Sequence, residues 1–266
     1  MTGELSAIVP LPLLAGAGFI AGAIVGSFLA TILVRWPQGR SVVAGRSQCD
    51  GCGAPLRAPE LVPILSFLLS RGRCRRCGAR IDPRHVLIEA AAGLIGLVAL
   101  LAHPLPLAAA TLVLGLMLLI LAALDAEHHW LPDALTWPLV PLGLAAAWLG
   151  WGPPLLDRAV GAVAGGALLW GLGWLYARLR GREGIGGGDP KLLAGIGAWV
   201  GVLNLPLVLL GAGLFGLLAV ALMQLRGATV GAATRLPLGT LMALAAWPIW
   251  LVGEQIHSAG VQSLLL

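Results

Sequence analysis

Charged side chains are scarce in this 266-residue chain. Asp, Glu, Lys and Arg make up 11% of it and hydrophobic residues 58%, with a mean hydropathy of +0.91. A soluble globular protein carries roughly 25% charged residues, so the shortage excludes an ordinary water-soluble domain and makes lipid the main solvent. Long polar stretches are also missing. One interruption, Arg35 to Arg84, is alone large enough to fold outside a bilayer. Cysteine is absent everywhere except in that interruption. The first residues lack the basic region and small-residue cleavage site of a secretory signal, and the first apolar run is expected to stay as a membrane helix.

The net charge of +5 could suggest nucleic acid, but its distribution argues for topology, and no nucleic-acid partner is expected. Ten of the 17 Lys and Arg residues lie between Arg35 and Arg84, and four more between Arg178 and Lys191. Arg158, Arg226 and Arg235 complete the set. A spanning helix needs roughly 20 apolar residues. The candidates are 11–34, 86–102, 105–124, 135–151, 159–177, 191–203, 206–225 and 238–256, of which 191–203 could be re-entrant. With the Arg35–Arg84 loop in the cytoplasm, eight crossings place every basic residue inside except Arg158. The expected fold is therefore an all-α polytopic membrane protein of about eight transmembrane helices with a cytoplasmic loop domain. Its parts are a first helix (1–34), the loop domain (35–85) and a membrane core (86–266). Glycines four apart, Gly18, Gly22 and Gly26, then Gly161 and Gly165, predict close helix packing.

Cys49-x2-Cys52 and Cys74-x2-Cys77 can offer four thiolates to one tetrahedral Zn²⁺. Disulfides or a redox pair are the alternatives. A reducing cytoplasm disfavours the first, and no βαβ pattern supports the second. A zinc ion with four protein ligands keeps no open position, so its expected role is structural.

Ionisable residues at membrane depth are costly and therefore functional suspects. Near span ends on the proposed cytoplasmic side lie Glu89, Asp125, Glu127, Asp133, Glu183 and Asp189. Asp125 closes one span and Asp189 precedes another, after Gly184-Ile185-Gly186-Gly187-Gly188. Two carboxylates within proton-sharing reach can run acid and base catalysis together. The glycines would let backbone approach an extended substrate. Ion pairing or helix-end capping is the competing reading.

Gly184-x-Gly186-x-Gly188-Asp189-x-Lys191-Leu192-Leu193 resembles the GxGD signature of the type IV prepilin peptidases, aspartic proteases of membranes. Other pieces follow in that family's order. They are Gly26-Ser27-Phe28-Leu29, the two cysteine pairs, Val62-Pro63-Ile64-Leu65-Ser66-Phe67, Arg71-Gly72-Arg73-Cys74, Leu131-Pro132-Asp133-x-Leu135-Thr136 and Pro237-Leu238-Gly239. The resemblance implies a bacterial inner-membrane enzyme with its active site on the cytoplasmic side. Such enzymes remove the basic leader from type IV prepilins or type II secretion pseudopilins, precursors that carry an apolar N-terminal helix. It further implies methylation of the new N-terminus with S-adenosylmethionine. By motif position Asp125 and Asp189 are catalytic, with Gly186, Gly188, Lys191, Asp133 and Glu89 in support. The chain departs from the family pattern at Ala30, Leu61-Val62-Pro63 and Arg84-His85-Val86, all on the loop side.

Glu89 is expected to pair with a loop arginine or to meet the substrate's new amine. His128 and His129 read as interfacial residues, since adjacent helical positions point about 100° apart. Trp36, Trp130, Trp151 and Trp250 read as an interfacial belt. Two other functions stay open on the residues alone. One is a presenilin-like or signal-peptide-peptidase-like protease, which shares a GxGD aspartate; the other is a small proton- or cation-coupled transporter.

Overall fold

The computed structural model describes residues 10–43, 46–182, 184–231 and 234–264. Glu183 lies outside them. Among the described residues the chain is helical, with two isolated bridges and no strand. The helices are α1 (Leu11–Arg35), α2 (Leu65–Leu69), α3 (Pro83–Ala102), α4 (Leu105–His128) and α5 (Asp133–Trp148), then α6 (Leu155–Arg180), α7 (Asp189–Val200), α8 (Leu205–Leu225) and α9 (Leu238–Leu264). Each of the eight expected apolar runs lies largely on one helix. Proline and glycine set many of the ends. Pro83, Pro190 and Pro206 stand in first turns, where a missing N–H costs nothing, and Gly181 ends α6 with φ of 66°.

Five of these helices are long and apolar enough to cross a membrane: Leu11–Gln38, Pro83–Ala102, Leu105–His128, Leu155–Arg180 and Leu205–Leu225. Among the described residues the structure thus shows several spans of membrane length and does not show the expected eight. With 16 and 12 residues, α5 and α7 reach about 24 and 18 Å at 1.5 Å per residue. A hydrocarbon core is about 30 Å thick.

The chain forms two compact units, Met1–Ile120 and Leu121–Leu266, with the boundary inside α4. In the first unit α1 packs along α3. A Cβ on Gly22 would run into the Ala92 carbonyl, and one on Gly26 into the Ala92 side chain. The glycine spacing is thus a contact between helix backbones, as expected for small residues in lipid.

In the second unit α7 is the centre. Leu192, Leu193, Ile196 and Ala198 have no exposed surface, and Trp199 donates to the Leu139 carbonyl at 2.9 Å. Gly161 of α6 and Gly197 of α7 meet backbone to backbone, and Gly195 makes room for Leu139 of α5.

One sequence expectation is corrected in this unit, and one exception to the charge partition finds its packing. Trp250 is not interfacial: it is buried edge-on against Trp199, ring centroids 5.4 Å apart. Arg158, the one cation that the topology argument left outside, is wholly buried. It donates to the carbonyls of Pro153, Gly143 and Trp151 and lies 5.1 Å from the Trp250 ring centroid. A charge satisfied in this way holds helix ends together and carries no information about sidedness.

Candidate active site and cysteine centre

Asp125 lies near the C-terminal end of α4, and Asp189 is the first residue of α7, just ahead of its apolar run. Both are nearly buried, 5% and 7% exposed. Burial, and next the charge of Asp125, push the Asp189 carboxyl up to about 6; the Gly186 N–H and His129 pull the other way. Two like charges near one another and away from water cannot both ionise freely. The two acids therefore share one electrostatic neighbourhood in this unit.

Each carboxylate is held by a backbone N–H, that of Asp189 from the loop before α7 and that of Asp125 from the first turn of α9. Gly186 donates to Asp189 Oδ2 at 3.0 Å, and Thr240, in the first turn of α9, donates to Asp125 Oδ2 at 2.7 Å. Unpaired N–H groups and the helix dipole favour an anion at such a terminus. The Thr240 hydroxyl lies 2.8 Å from the Ala122 carbonyl and 3.2 Å from Asp125 Oδ2. Nothing in the sequence reading singled out Thr240; the only signal was the Pro237-Leu238-Gly239 motif directly before it.

Leu131 is the spacer between these two corners. A Cβ on Gly188 would come within 2.6 Å of Leu131 Cβ, and one on Gly239 within 2.8 Å of Leu131 Cδ1 and 3.0 Å of Asp125 Oδ2. Of the glycines that approach Asp189, Gly188 makes room for Leu131, whereas a Cβ on Gly187 would meet nothing within 4 Å. Any side chain at Gly188 or Gly239 would push Asp189 or Asp125 out of place.

Asp133 and Lys191 are found together. Asp133 Oδ1 accepts from Lys191 Nζ at 2.6 Å, and both side chains are solvent-accessible. His128 lies 3.7 Å from Glu127, and His129 adopts φ of 48°, at the turn that leads to Leu131. Glu89 belongs to the first unit. It makes no ion pair among the described residues, and its Oε2 accepts the Ile64 N–H at 2.7 Å. The expected arginine partner is replaced by backbone.

The cysteine centre, in the first unit, is built from one turn used twice. Cys49 N donates to Ala54 O, Gly53 N to Cys49 O and Leu56 N to Ser47 O. The same three bonds recur 25 residues later, as Cys74 to Ala79, Gly78 to Cys74 and Ile81 to Gly72. Gly53 and Gly78 take φ of 67° and 74°, a conformation that glycine adopts without strain. The four Sγ atoms lie within 4.8 Å of one another, and Cys49 and Cys77 are 3.8 Å apart. A Zn–S bond of about 2.3 Å in a tetrahedron puts sulfurs about 3.8 Å apart, so the donor set fits zinc. N–H groups of Cys77 and Arg76 lower the Cys74 thiol to about 6. For Cys77 the Ala79 N–H also lowers it, but burial and the other three sulfurs outweigh this and carry it up to about 11.

Most of the chain is similar to known proteins. Residues 20–103 match the family model described as Bacterial Peptidase A24 N-terminal domain, and residues 112–221 match that of the Type IV leader peptidase family. Curated relatives named prepilin leader peptidase/N-methyltransferase include one from Pseudomonas putida, 36% identical over 92% of this chain and 93% of its own. One from Pseudomonas aeruginosa is 37% identical over 91% and 92%, and one from Dichelobacter nodosus is 40% identical over 79% and 72%. No solved structure matches the chain.

Proposed function

The chain belongs to the type IV leader peptidase family, and from that membership we propose that it removes the basic leader from prepilins or pseudopilins and methylates the exposed N-terminus. The presenilin-like and transporter readings yield to this membership. The observation that carries the peptidase half is the buried pair Asp125 and Asp189, with its carboxylates pinned by Thr240 and Gly186.

The roles divide by environment. Asp189, raised to about 6, is the more readily protonated of the two and takes the acid role; Asp125, fixed at the start of α9, takes the base role. Water attacks the scissile carbonyl carbon and gives its proton to Asp125, while Asp189 gives its proton to the carbonyl oxygen. When the C–N bond breaks, the proton held by Asp125 passes to the departing nitrogen and a hydroxyl proton of the intermediate returns to Asp189. The products are a free leader acid and a new α-amine. The substrate's apolar helix lies in the bilayer of the bacterial inner membrane, and its leader is on the cytoplasmic side.

The remaining assignments are of one piece with this reading. The helix 1–34, the loop domain 35–85 and the core 86–266 form an eight-crossing protein with its basic loops inside. Cys49, Cys52, Cys74 and Cys77 hold a structural zinc ion that fixes the loop. S-adenosylmethionine supplies an activated methyl group for the new amine. Asp133 and Lys191 brace the start of α5 against that of α7.

Purified protein incubated with a matched prepilin and S-adenosylmethionine, with the product weighed by mass spectrometry, tests both halves. The wild type should yield a mass lacking the leader and carrying one methyl group. Asp125→Asn and Asp189→Asn should each lower cleavage by at least a thousandfold while still inserting in the membrane. Cleavage retained by either variant would rule out the pair.

A further inference from the structure

The loop of the first unit carries an apolar stretch that neither the cysteine turns nor the peptidase chemistry uses. From Leu61 to Ser70 it holds no charge, and Glu60 and Arg71 close it at the two ends. In a domain bathed by water its large side chains should turn inward. Instead Leu65 and Leu68 are 51% and 62% exposed, and Leu61, Val62 and Leu69 are exposed with them. A contiguous apolar patch of this kind marks a surface that meets something apolar.

The segment has two sides. Ser66 and Ser70 look toward the cysteine turns, whereas Val62, Leu65 and Leu68 share a groove with Ile20, Ala23 and Ile24 of α1. That helix is long and apolar enough to cross a membrane, and Ala23 is its midpoint. Ile24 and Ile20 stand 11 and 15 residues before Arg35, about 16 and 22 Å along the axis. Half of a hydrocarbon core is about 15 Å. The loop's wall of the groove therefore lies level with the bilayer interior. Every side chain lining the groove is apolar, so nothing there would fix the register of a partner helix. Ile20, Ile24 and Phe28 continue the exposed apolar face along α1, the face that a spanning helix turns to lipid.

The backbone meets the condition that lipid sets. Without water to bond, N–H groups at membrane depth must find partners inside the protein. Pro63 brings no N–H. Leu65 donates to the Pro63 carbonyl, Ser66 to Val62, Leu68 to Ile64 and Ser70 to Ser66. The Ile64 N–H, at a turn with φ of 61°, donates instead to Glu89 Oε2 at 2.7 Å. Glu89 stands six residues after Pro83, about 9 Å along α3 from its first residue. A second helix thus holds the segment below the level at which the loop enters.

We propose that Leu61–Leu69 is a re-entrant element that leaves the aqueous loop, lies among lipid acyl chains beside α1 and returns, pinned at Glu89. The occupant of the groove is bilayer hydrocarbon. The proposal goes beyond the proposed function and holds whichever reaction the chain runs.

The wild type is enough for the main test. Trypsin releases 58–71 as one peptide, between Arg57 and Arg71, and 41–46 as another, between Arg40 and Arg46. The full chain is placed in vesicles of phosphatidylethanolamine and phosphatidylglycerol. These carry a phospholipid with a diazirine at the end of an acyl chain or, in a parallel sample, at the headgroup. After irradiation the acyl-chain probe should label 58–71 as heavily as Leu205–Leu225 of α8, and at least fivefold more than 41–46. Label in 58–71 from the headgroup probe alone would put the segment on the surface and overturn insertion. Label from neither probe would remove lipid as the occupant. Adding a matched prepilin should leave the labelling unchanged, and protection of 58–71 would make the groove a seat for the substrate helix and sink the proposal. Glu89→Ala leaves the Ile64 N–H without its acceptor and should lower acyl-chain label in 58–71 at least fivefold, with zinc content unchanged. Glu89→Gln, whose amide oxygen can still accept, should restore it. Equal label in both variants would overturn the pinning.

Discussion

Thr240 makes two contacts that belong to different halves of one residue. Its N–H is at 2.7 Å from Asp125 Oδ2, and its hydroxyl ties that same oxygen to the Ala122 carbonyl. Thr240→Val keeps the first and removes the second. A hydrogen bond to a charged group is worth about 1.5–3 kcal/mol, so kcat for leader cleavage should fall about 10- to 100-fold, with Thr240→Ser restoring most of it. A Val variant as fast as wild type would show that the hydroxyl does not position Asp125. Asp189 gives a prediction of opposite sign for stability. Its carboxyl is raised from 3.8 to about 6, so the native state holds its proton more tightly than the unfolded chain does. That contribution to folding is complete below the unfolded value and is lost as pH rises through about 6. Asp189→Asn cannot ionise. Thermal unfolding in detergent should find it more stable than wild type at pH 8, by on the order of 1–3 kcal/mol, with the gap closing toward pH 4. A gap that widened on acidification would contradict the assignment of Asp189 as the more readily protonated partner.

At the scale of elements, α7 is short, central and glycine-bearing for one reason: it sets Asp189 at a fixed depth among α5, α6 and α9. Its contact with α6 runs through Gly161 and Gly197, where neither residue has room for a Cβ. Gly197→Val must therefore displace a backbone. Overpacking costs about 1–3 kcal/mol, and a shift of α7 moves Asp189 with it. Cleavage should drop at least tenfold along with a lower unfolding temperature. Gly213→Ala on α8 meets nothing within 4 Å and should leave both unchanged. If the Gly197 variant loses stability yet cleaves normally, α7 does not govern the acid pair.

For the molecule as a whole, the cysteine turns stand in the first unit and the acid pair in the second, so the two can be perturbed separately. Zinc must displace protons from the four thiols that come within 4.8 Å of one another, so its binding weakens as pH falls. Elemental analysis should find one zinc per chain at pH 7.5 and little after dialysis at pH 4.5 with a chelator. Cys77→Ser should hold substantially less at either pH. Full retention of metal by that variant would remove Cys77 from the ligand set.

Much of this protein can be read without coordinates because hydropathy and helix punctuation are properties of short segments. The scarcity of charge, the apolar runs ended by proline and glycine, the paired cysteines and the two flagged aspartates are all of that kind. Packing alone could decide which groups meet. Thr240 reaches Asp125 from 115 residues away, Leu131 wedges against Gly188 and Gly239, Arg158 is satisfied by three carbonyls, and Trp250 turns inward where the sequence placed it in an interfacial belt. Glu89 finds the Ile64 backbone N–H where an arginine was expected. Each of these depends on several helices converging on one point, and a buried polar group takes whichever partner that convergence leaves within reach.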